Sequence, residues 1–305
     1  MKNFNIRQFS INLWYVLMIN ITLLNGKRYR DTTHTMAITQ TVVVPAYKEK
    51  LNIKPLTQRL FAALGNEGTE TTELIFVDDN SQDGSVEEVD ELAKQGYNVR
   101  IIVRTTERGL SSAVLRGFNE AKGQYVICMD ADLQHPPESV PLLFDSLKDD
   151  HAFVIGTRYA PGVGIDKDWP LYRRVISSTA RWMARPLTIA SDPMSGFFGL
   201  QKKYLDEASD KKVDINQQGF KIALELLAKL PLPEDNKKKL GEIPFSFGVR
   251  TEGESKLSGK VIIQYIEQLK ELYVYKFGAE NLILFFLFAV ILALYCLYQL
   301  YSLCF

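Results

Sequence analysis

From Thr41 onward the chain repeats one unit: a short β-branched apolar run, a polar break, then a stretch with helical spacing. Val42-Val43-Val44 is ended by Pro45, and Asn52 to Leu64 reads as a helix stopped by Gly65. Leu74-Ile75-Phe76-Val77 is a second strand closed by Asp78-Asp79, followed by a helix from Val86 to Gln95 closed by Gly96. Val99 to Val103 is a third strand, and Leu110 to Lys122 a helix with Gly123 as its C-cap. Tyr125 to Met129 is a fourth strand ending in Asp130, Pro137 to Lys148 a helix, and Phe153-Val154-Ile155 a fifth strand. Continuous apolar strands separated by helices predict an α/β fold with a doubly wound, mainly parallel sheet covered on both faces. Ligands of such sheets bind beyond the carboxyl ends of the strands, which is where the acidic residues fall.

Composition narrows the function classes. Lys plus Arg and Asp plus Glu both total 36, so the net charge is zero and no nucleic-acid partner is expected. Cys128, Cys296 and Cys304 are too widely spaced for a disulfide framework or a zinc site. The turn after the first strand, Pro45-Ala46-Tyr47-Lys48-Glu49, lacks the glycines of a dinucleotide-binding fold, and no phosphate-binding P-loop occurs.

Both termini bear on membranes. No charged residue occurs from Asn281 to Phe305, which is long enough for a transmembrane helix at 279–305; a buried core helix is the alternative. Lys270 and Lys276 precede it and no basic residue follows, so the bulk of the chain is expected on the cytosolic side. Before it, residues 260–278 have amphipathic spacing, with Ile262, Ile266, Leu269 and Tyr273 on one face. That face suits either a membrane surface or a core. At the other end, Ile11 to Leu24 is apolar but short for a span, and Met36 is a second possible start. Residues 1–36 are treated as an N-terminal extension and 37–259 as the catalytic domain.

Asp130-Ala131-Asp132 lies just past a strand. In extended chain its two carboxylates face the same way and suit one hard cation, Mg²⁺ or Mn²⁺, shared with substrate phosphates. Gln134 continues the spacing. The chemistry implied is displacement of a nucleoside diphosphate, although Asp-x-Asp also occurs as a plain surface turn. Asp79 closes the second strand and is placed to accept hydrogen bonds from a nucleoside; Asn80, Ser81 and Asp83 beside it suit a helix N-cap. Arg158, Arg173, Arg174, Arg250 and Lys256 are the cations suited to a lipid phosphate, unless they are ordinary solvated charges.

Val44-Pro45-Ala46-Tyr47-Lys48-Glu49, Val77-Asp78-Asp79-Asn80-Ser81-Gln82-Asp83 and Asp130-Ala131-Asp132-Leu133-Gln134-His135-Pro136 resemble the inverting glycosyltransferases of family 2 with the GT-A fold. The resemblance runs from about Thr41 to Tyr275. Met194-Ser195-Gly196-Phe197-Phe198 and Gly253-Glu254-Ser255-Lys256-Leu257 narrow it to the dolichyl-phosphate mannose synthase branch, in the form with its own C-terminal anchor. It implies a GT-A domain, an amphipathic helix and one transmembrane helix. The implied partners are GDP-mannose, dolichyl phosphate and the lipid bilayer, at the endoplasmic reticulum membrane. By the same resemblance, Pro45, Tyr47, Glu49, Val77 and Asp79 hold the guanosine. Asp130, Ala131, Asp132 and Gln134 hold metal and diphosphate, and Arg250 and Lys256 clamp the diphosphate. Arg158, Arg173 and Ser177 meet the acceptor phosphate, and Arg174 is assigned there as the neighbour paired with Arg173. Asp192 stands where relatives carry a catalytic base, whereas His135 reads as structural. Rival readings are a UDP-glucose-dependent enzyme of the same fold, a polysaccharide synthase, and a non-catalytic binding subunit. Ser178-Thr179-Ala180-Arg181-Trp182 lacks the Gln of the synthase motif.

Overall fold

The computed structural model describes residues 37–160, 171–219, 221–246, 259–284 and 288, without the side chains of 171–174 and 260. The expected helix–strand alternation is present: β1 (Gln40–Ala46), α1 (Lys50–Thr71), β2 (Thr72–Asp78), α2 (Ser85–Lys94), β3 (Val99–Val103), α3 (Leu110–Glu120), β4 (Tyr125–Cys128), a 3₁₀ turn (Pro137–Ser139), α4 (Val140–Lys148) and β5 (Phe153–Thr157). Beyond it follow α5 (Leu171–Ala184), β6 (Phe198–Gln201), α6 (Lys202–Asp210), α7 (Ile222–Lys229), α8 (Asn236–Lys239), β7 (Leu240–Pro244) and α9 (Gly259–Phe277).

The strand order is β3-β2-β1-β4-β6-β5-β7. Only β6 runs against its neighbours, β4 and β5, so the sheet is mainly parallel as expected. The chain winds outward from β1 to β3 and then returns to place β4 on the other side of β1. A crevice opens at such a reversal because successive connections leave in opposite directions.

Side-chain alternation along each strand builds two cores, one per face. Val42 and Val44 of β1, with Leu74 and Phe76 of β2, pack under Ile53, Leu56 and Leu60 of α1 and Leu143 and Phe144 of α4. Val43, Ile75 and Val77 point the other way, onto Val114 and Phe118 of α3 and Leu226 of α7. Each fully buried side chain of this size contributes about 1.5–3 kcal/mol.

Several details differ from the sequence expectations. β1 continues through Pro45 to Ala46. Pairing with β4 has ended at Val43 by then, so the missing N–H disturbs one neighbour only. Gly65 breaks α1 with φ 66°, as expected, but the chain re-enters a helix up to Thr71. Gly123 is not a helix cap: α3 ends at Glu120, and a Cβ at Gly123 would lie 2.5 Å from the Gln40 carbonyl carbon. The glycine is there because chain meets chain. β6 was not anticipated, since Phe198-Gly199-Leu200-Gln201 is short and contains a glycine. That glycine lets β6 approach β4, where a Cβ would sit 2.7 Å from Val126 O.

A third core lies between α5, α7 and α9, formed by Ala184, Leu187, Leu224, Tyr265, Leu269 and Leu272. It divides the face expected for residues 260–278. Leu269 is buried, whereas Ile262 and Ile266 are exposed, at 38% and 52%. The buried positions are Tyr265, Gln268, Leu269 and Leu272, one stripe at helical spacing. Gly278 (φ 78°) interrupts α9, and residues 279–284 resume a helix. Among the described residues no helix is long and apolar enough to cross a membrane. Most of the expected span at 279–305 lies outside them.

Candidate active site

Beyond the carboxyl ends of β1, β2 and β4 lies a cleft of about 1760 Å³. The loops that form its floor are strained. Lys48 follows β1 with φ 60°, Asn80 and Gln82 follow β2 with φ 59° and 52°, and Leu133 follows β4 with φ 61°. Positive φ is uncommon for residues other than glycine and persists where surrounding contacts over-determine the loop.

Those contacts are visible. Buried Asp78 accepts hydrogen bonds from the N–H (2.8 Å) and hydroxyl of Ser81, and Ser81 Oγ accepts from Lys48 N at 2.8 Å. The loops after β1 and β2 are thereby tied together. Asp79 accepts from Arg104 Nε at 2.8 Å and from Gly109 N at 2.9 Å, and Arg104 also donates to Ser112 Oγ and Gly109 O. The Arg104 side chain is 3% exposed. The carboxylate assigned to the nucleoside therefore also orders the loop that opens α3.

The Asp-x-Asp loop is held by His135. Its Nδ1 accepts from Asp130 N at 3.0 Å, and its ring stacks on Phe197 with centroids 5.1 Å apart. Burial holds the imidazole pKa below its usual value, against the pull of Asp130 and Asp132. This geometry makes His135 a neutral strut, in agreement with the structural role expected for it. Gln134 N donates to Asp132 Oδ1 at 3.2 Å. Opposite, Gly196 leaves room for Asp130, since a Cβ there would sit 3.3 Å from the carboxylate.

Among the described residues no group of three His, Cys, Asp or Glu side chains is placed to hold a metal by itself. Two carboxylates at the mouth of a cleft do fit a hard cation that draws its remaining oxygens from a phosphate ligand.

Across the cleft stands Arg158, at the end of β5. Its Nε and Nη2 donate to the two oxygens of Asp192 at 2.7 and 2.9 Å, with Asp192 fully buried. A general base needs a carboxylate that can reach the acceptor. Asp192 instead has both oxygens on the guanidinium and one also on Arg158 N at 3.3 Å. The structure makes it the anchor of Arg158 rather than a base.

Most of the other expected residues converge on the cleft. Pro45, Tyr47, Glu49, Asp79, Asp130, Ala131, Asp132, Arg158 and Ser177 line it. Ser177 Oγ lies 3.3 Å from Tyr159 OH, over which Arg181 stacks at 3.9 Å. Val77 differs, because its side chain is fully buried beneath α3. The helix α5 carries Arg173 and Arg174, whose side chains are not described, and Arg250 and Lys256 lie outside the described residues.

Two cleft residues, Arg108 and Lys221, escaped the sequence reading. Arg108 sits 5.8 Å from the Tyr47 ring. Ile262 and Ile266 of α9, two of the apolar face expected at 260–278, line the same cleft as Val175, Ile176 and Met183 of α5. Lys221 enters just before α7, donating to Met194 O at 3.2 Å; burial, aided by Arg158, pulls its pKa to about 8. No local motif marks it.

Glycosyl transferase family 2 matches residues 41–208. Dolichol-phosphate mannosyltransferase of Saccharomyces cerevisiae is 77% identical over 270 residues, covering 88% of this chain and 100% of that protein. The chain belongs to the dolichol-phosphate mannosyltransferases. It transfers mannose to dolichyl phosphate. The Pyrococcus furiosus member is 40% identical, over 80% of this chain and 66% of its own length. Among solved structures, glucosyl-3-phosphoglycerate synthase of Mycobacterium tuberculosis, in complex with Mn²⁺, UDP-glucose and phosphoglyceric acid, superposes with a TM-score of 0.52 at 19% identity. That superposition covers 78% of this chain and 79% of the other, and it shows a shared fold.

Proposed function

We propose that the enzyme takes its mannose from GDP-mannose and works at the cytosolic face of the endoplasmic reticulum membrane, anchored by residues 279–305. The observation that carries this reading is the two-sided cleft. One wall is carboxylate-bearing loops at strand ends, and the other is the apolar trough between α5 and α9. A charged sugar nucleotide fits the first and a polyprenyl chain the second.

Pro45, Tyr47, Glu49 and Asp79 hold the guanosine, with Val77 contributing through its backbone. Asp130 and Asp132, with Gln134, hold Mg²⁺ or Mn²⁺ and the diphosphate. Bound there, the cation would neutralise charge growing on the leaving group. Arg250 and Lys256 cover the diphosphate. Arg158, Arg173, Arg174 and Ser177 orient the acceptor phosphate, and Asp192 keeps Arg158 aimed.

No general base is required. A phosphate monoester has a second pKa near 6, so at neutral pH it is largely dianionic. One of its oxygens attacks the anomeric carbon, the bond from that carbon to the diphosphate breaks, and configuration inverts. The protein supplies alignment and fixed charge.

The exposed apolar side chains support a lipid surface. Val175 and Trp182 of α5 are 56% and 76% exposed, and Ile263 and Ile266 of α9 are 59% and 52% exposed. Such patches mark interaction sites. The test is product formation by the full chain in vesicles of dolichyl phosphate, with GDP-mannose or UDP-glucose, and with Mg²⁺, Mn²⁺ or chelator. Mannolipid from GDP-mannose alone, abolished by chelation, supports the reading. Glucolipid from UDP-glucose overturns the donor, and full activity under chelation overturns the metal.

A further inference from the structure

Lys221 is held by both ends. Its backbone N–H donates to Gln268 Oε1 at 3.1 Å, and its carbonyl accepts from Gln268 Nε2 at 3.1 Å. The same Nε2 donates to Glu225 Oε2 at 3.0 Å. Gln268 lies on α9 and is 1% exposed, so one buried amide fixes Lys221 as a neighbouring strand would. At the other end Nζ donates to Met194 O, in the cleft that Arg158 and Ser177 also line.

Burying an ammonium costs several kcal/mol unless charge or hydrogen bonds compensate. Its position in the cleft suggests what this one does. Arg158 is neutralised by its direct pair with Asp192. That pair offers donors to a phosphate dianion but no net positive charge. Lys221 brings a second cation to the cleft that Arg158 lines, within the field of the Asp130 and Asp192 carboxylates. Its tethers, Met194 and Gln268, belong to the α5–α9 side rather than to the strand-end loops.

We propose that Lys221 is a ligand of the acceptor phosphate and that Gln268 is its positioning residue, linking the cation to the helix that leads into the C-terminal segment. This rests on the acceptor site proposed above. The shared chemistry is a phosphate, which either the acceptor or the donor diphosphate could supply, and separate titrations distinguish them.

Full-chain Lys221→Met, Lys221→Arg and Gln268→Leu are assayed in vesicles, varying dolichyl phosphate at saturating GDP-mannose and then the reverse. Lys221→Met is expected to raise the acceptor KM about tenfold or more and the donor KM less than about twofold, as loss of a charge-assisted contact predicts. Lys221→Arg should recover most of the loss, and Gln268→Leu should raise the acceptor KM about threefold without matching it in donor KM. A rise in donor KM alone, an equal rise in both, or no rise overturns the assignment. If Lys221→Met fails to fold, the other two variants decide: a selective acceptor effect in Gln268→Leu, absent in Lys221→Arg, supports it, and any other pattern sinks it. Wild-type transfer from UDP-glucose instead would overturn the donor reading, and the acceptor titration is then run with that donor.

Discussion

On the strand-end side of the cleft, hydrogen bonds within and between loops fix the acids and their backbone: Asp78 through Ser81, Asp79 through Arg104, Asp132 through Gln134 N, and the Asp130 N–H through His135. On the α5–α9 side the bonds instead fasten one helix to the other. Tyr265 and Tyr273 donate their hydroxyls to Ala180 O and Met183 O at 2.7 and 2.8 Å, and Lys276 donates to Pro186 O and Leu187 O at 2.9 and 3.0 Å. The trough between the two helices is left apolar and partly exposed. A donor with defined charges needs donors and acceptors at fixed points. A long hydrocarbon chain needs only a surface, because apolar contact is non-directional. One wall is therefore specified residue by residue, and the other by composition.

The largest expected effect lies on the first wall. Asp132→Ala should cut transfer about 10³-fold, in the range seen when one electrostatic stabiliser of a transition state is removed. Its thermal midpoint should barely move, and a parallel loss of both would mean that the loop is structural. Asp192→Ala sharpens the contrast, since it strands the guanidinium of Arg158 on the boundary between the walls. Breaking a buried pair costs about 3–5 kcal/mol, read by calorimetry; full stability with abolished turnover would restore Asp192 as a base.

Leu272→Ala acts on the second wall alone. The residue is fully buried, so about 2–5 kcal/mol of stability should go. Nucleotide binding should survive in whatever folds, and its loss at low temperature would couple the walls more tightly than the contacts suggest. Arg104→Met should raise the donor KM about tenfold by releasing Asp79 and leave the acceptor KM unchanged. The smallest effect is expected from Ile262→Ser with Ile266→Ser. Vesicle association should weaken by roughly 1 kcal/mol per side chain, measured by sedimentation, with donor affinity untouched.

The sequence reading located the strand-end acids because they sit at the carboxyl ends of apolar runs, where position along the chain equals position in the sheet. Four of the expected donor residues in the first two loops, Pro45, Tyr47, Glu49 and Asp79, line the cleft for that reason. His135 was legible as a strut from the prolines that follow it. Val77 was not, because alternation sends its side chain into the core under α3. The amphipathic stretch at 260–278 showed one apolar face in the sequence. Packing then chose which part of it to bury, and Tyr265, Gln268 and Leu272 joined Leu269 because α7 and the end of α5 lie there.

The sequence by itself determined the alternating architecture, the two-carboxylate loop and the side of the sheet on which it opens. Those follow from local rules, since a period-2 or helical pattern and a terminal acid are set by neighbours in the chain. The tertiary structure alone decided that Asp192 is spent on Arg158, that β6 slips between β4 and β5, and that Lys221 reaches the cleft from a loop fixed by Gln268, 47 residues away. Each depends on a contact between distant segments, and such pairings are fixed only when the cores bring those segments together.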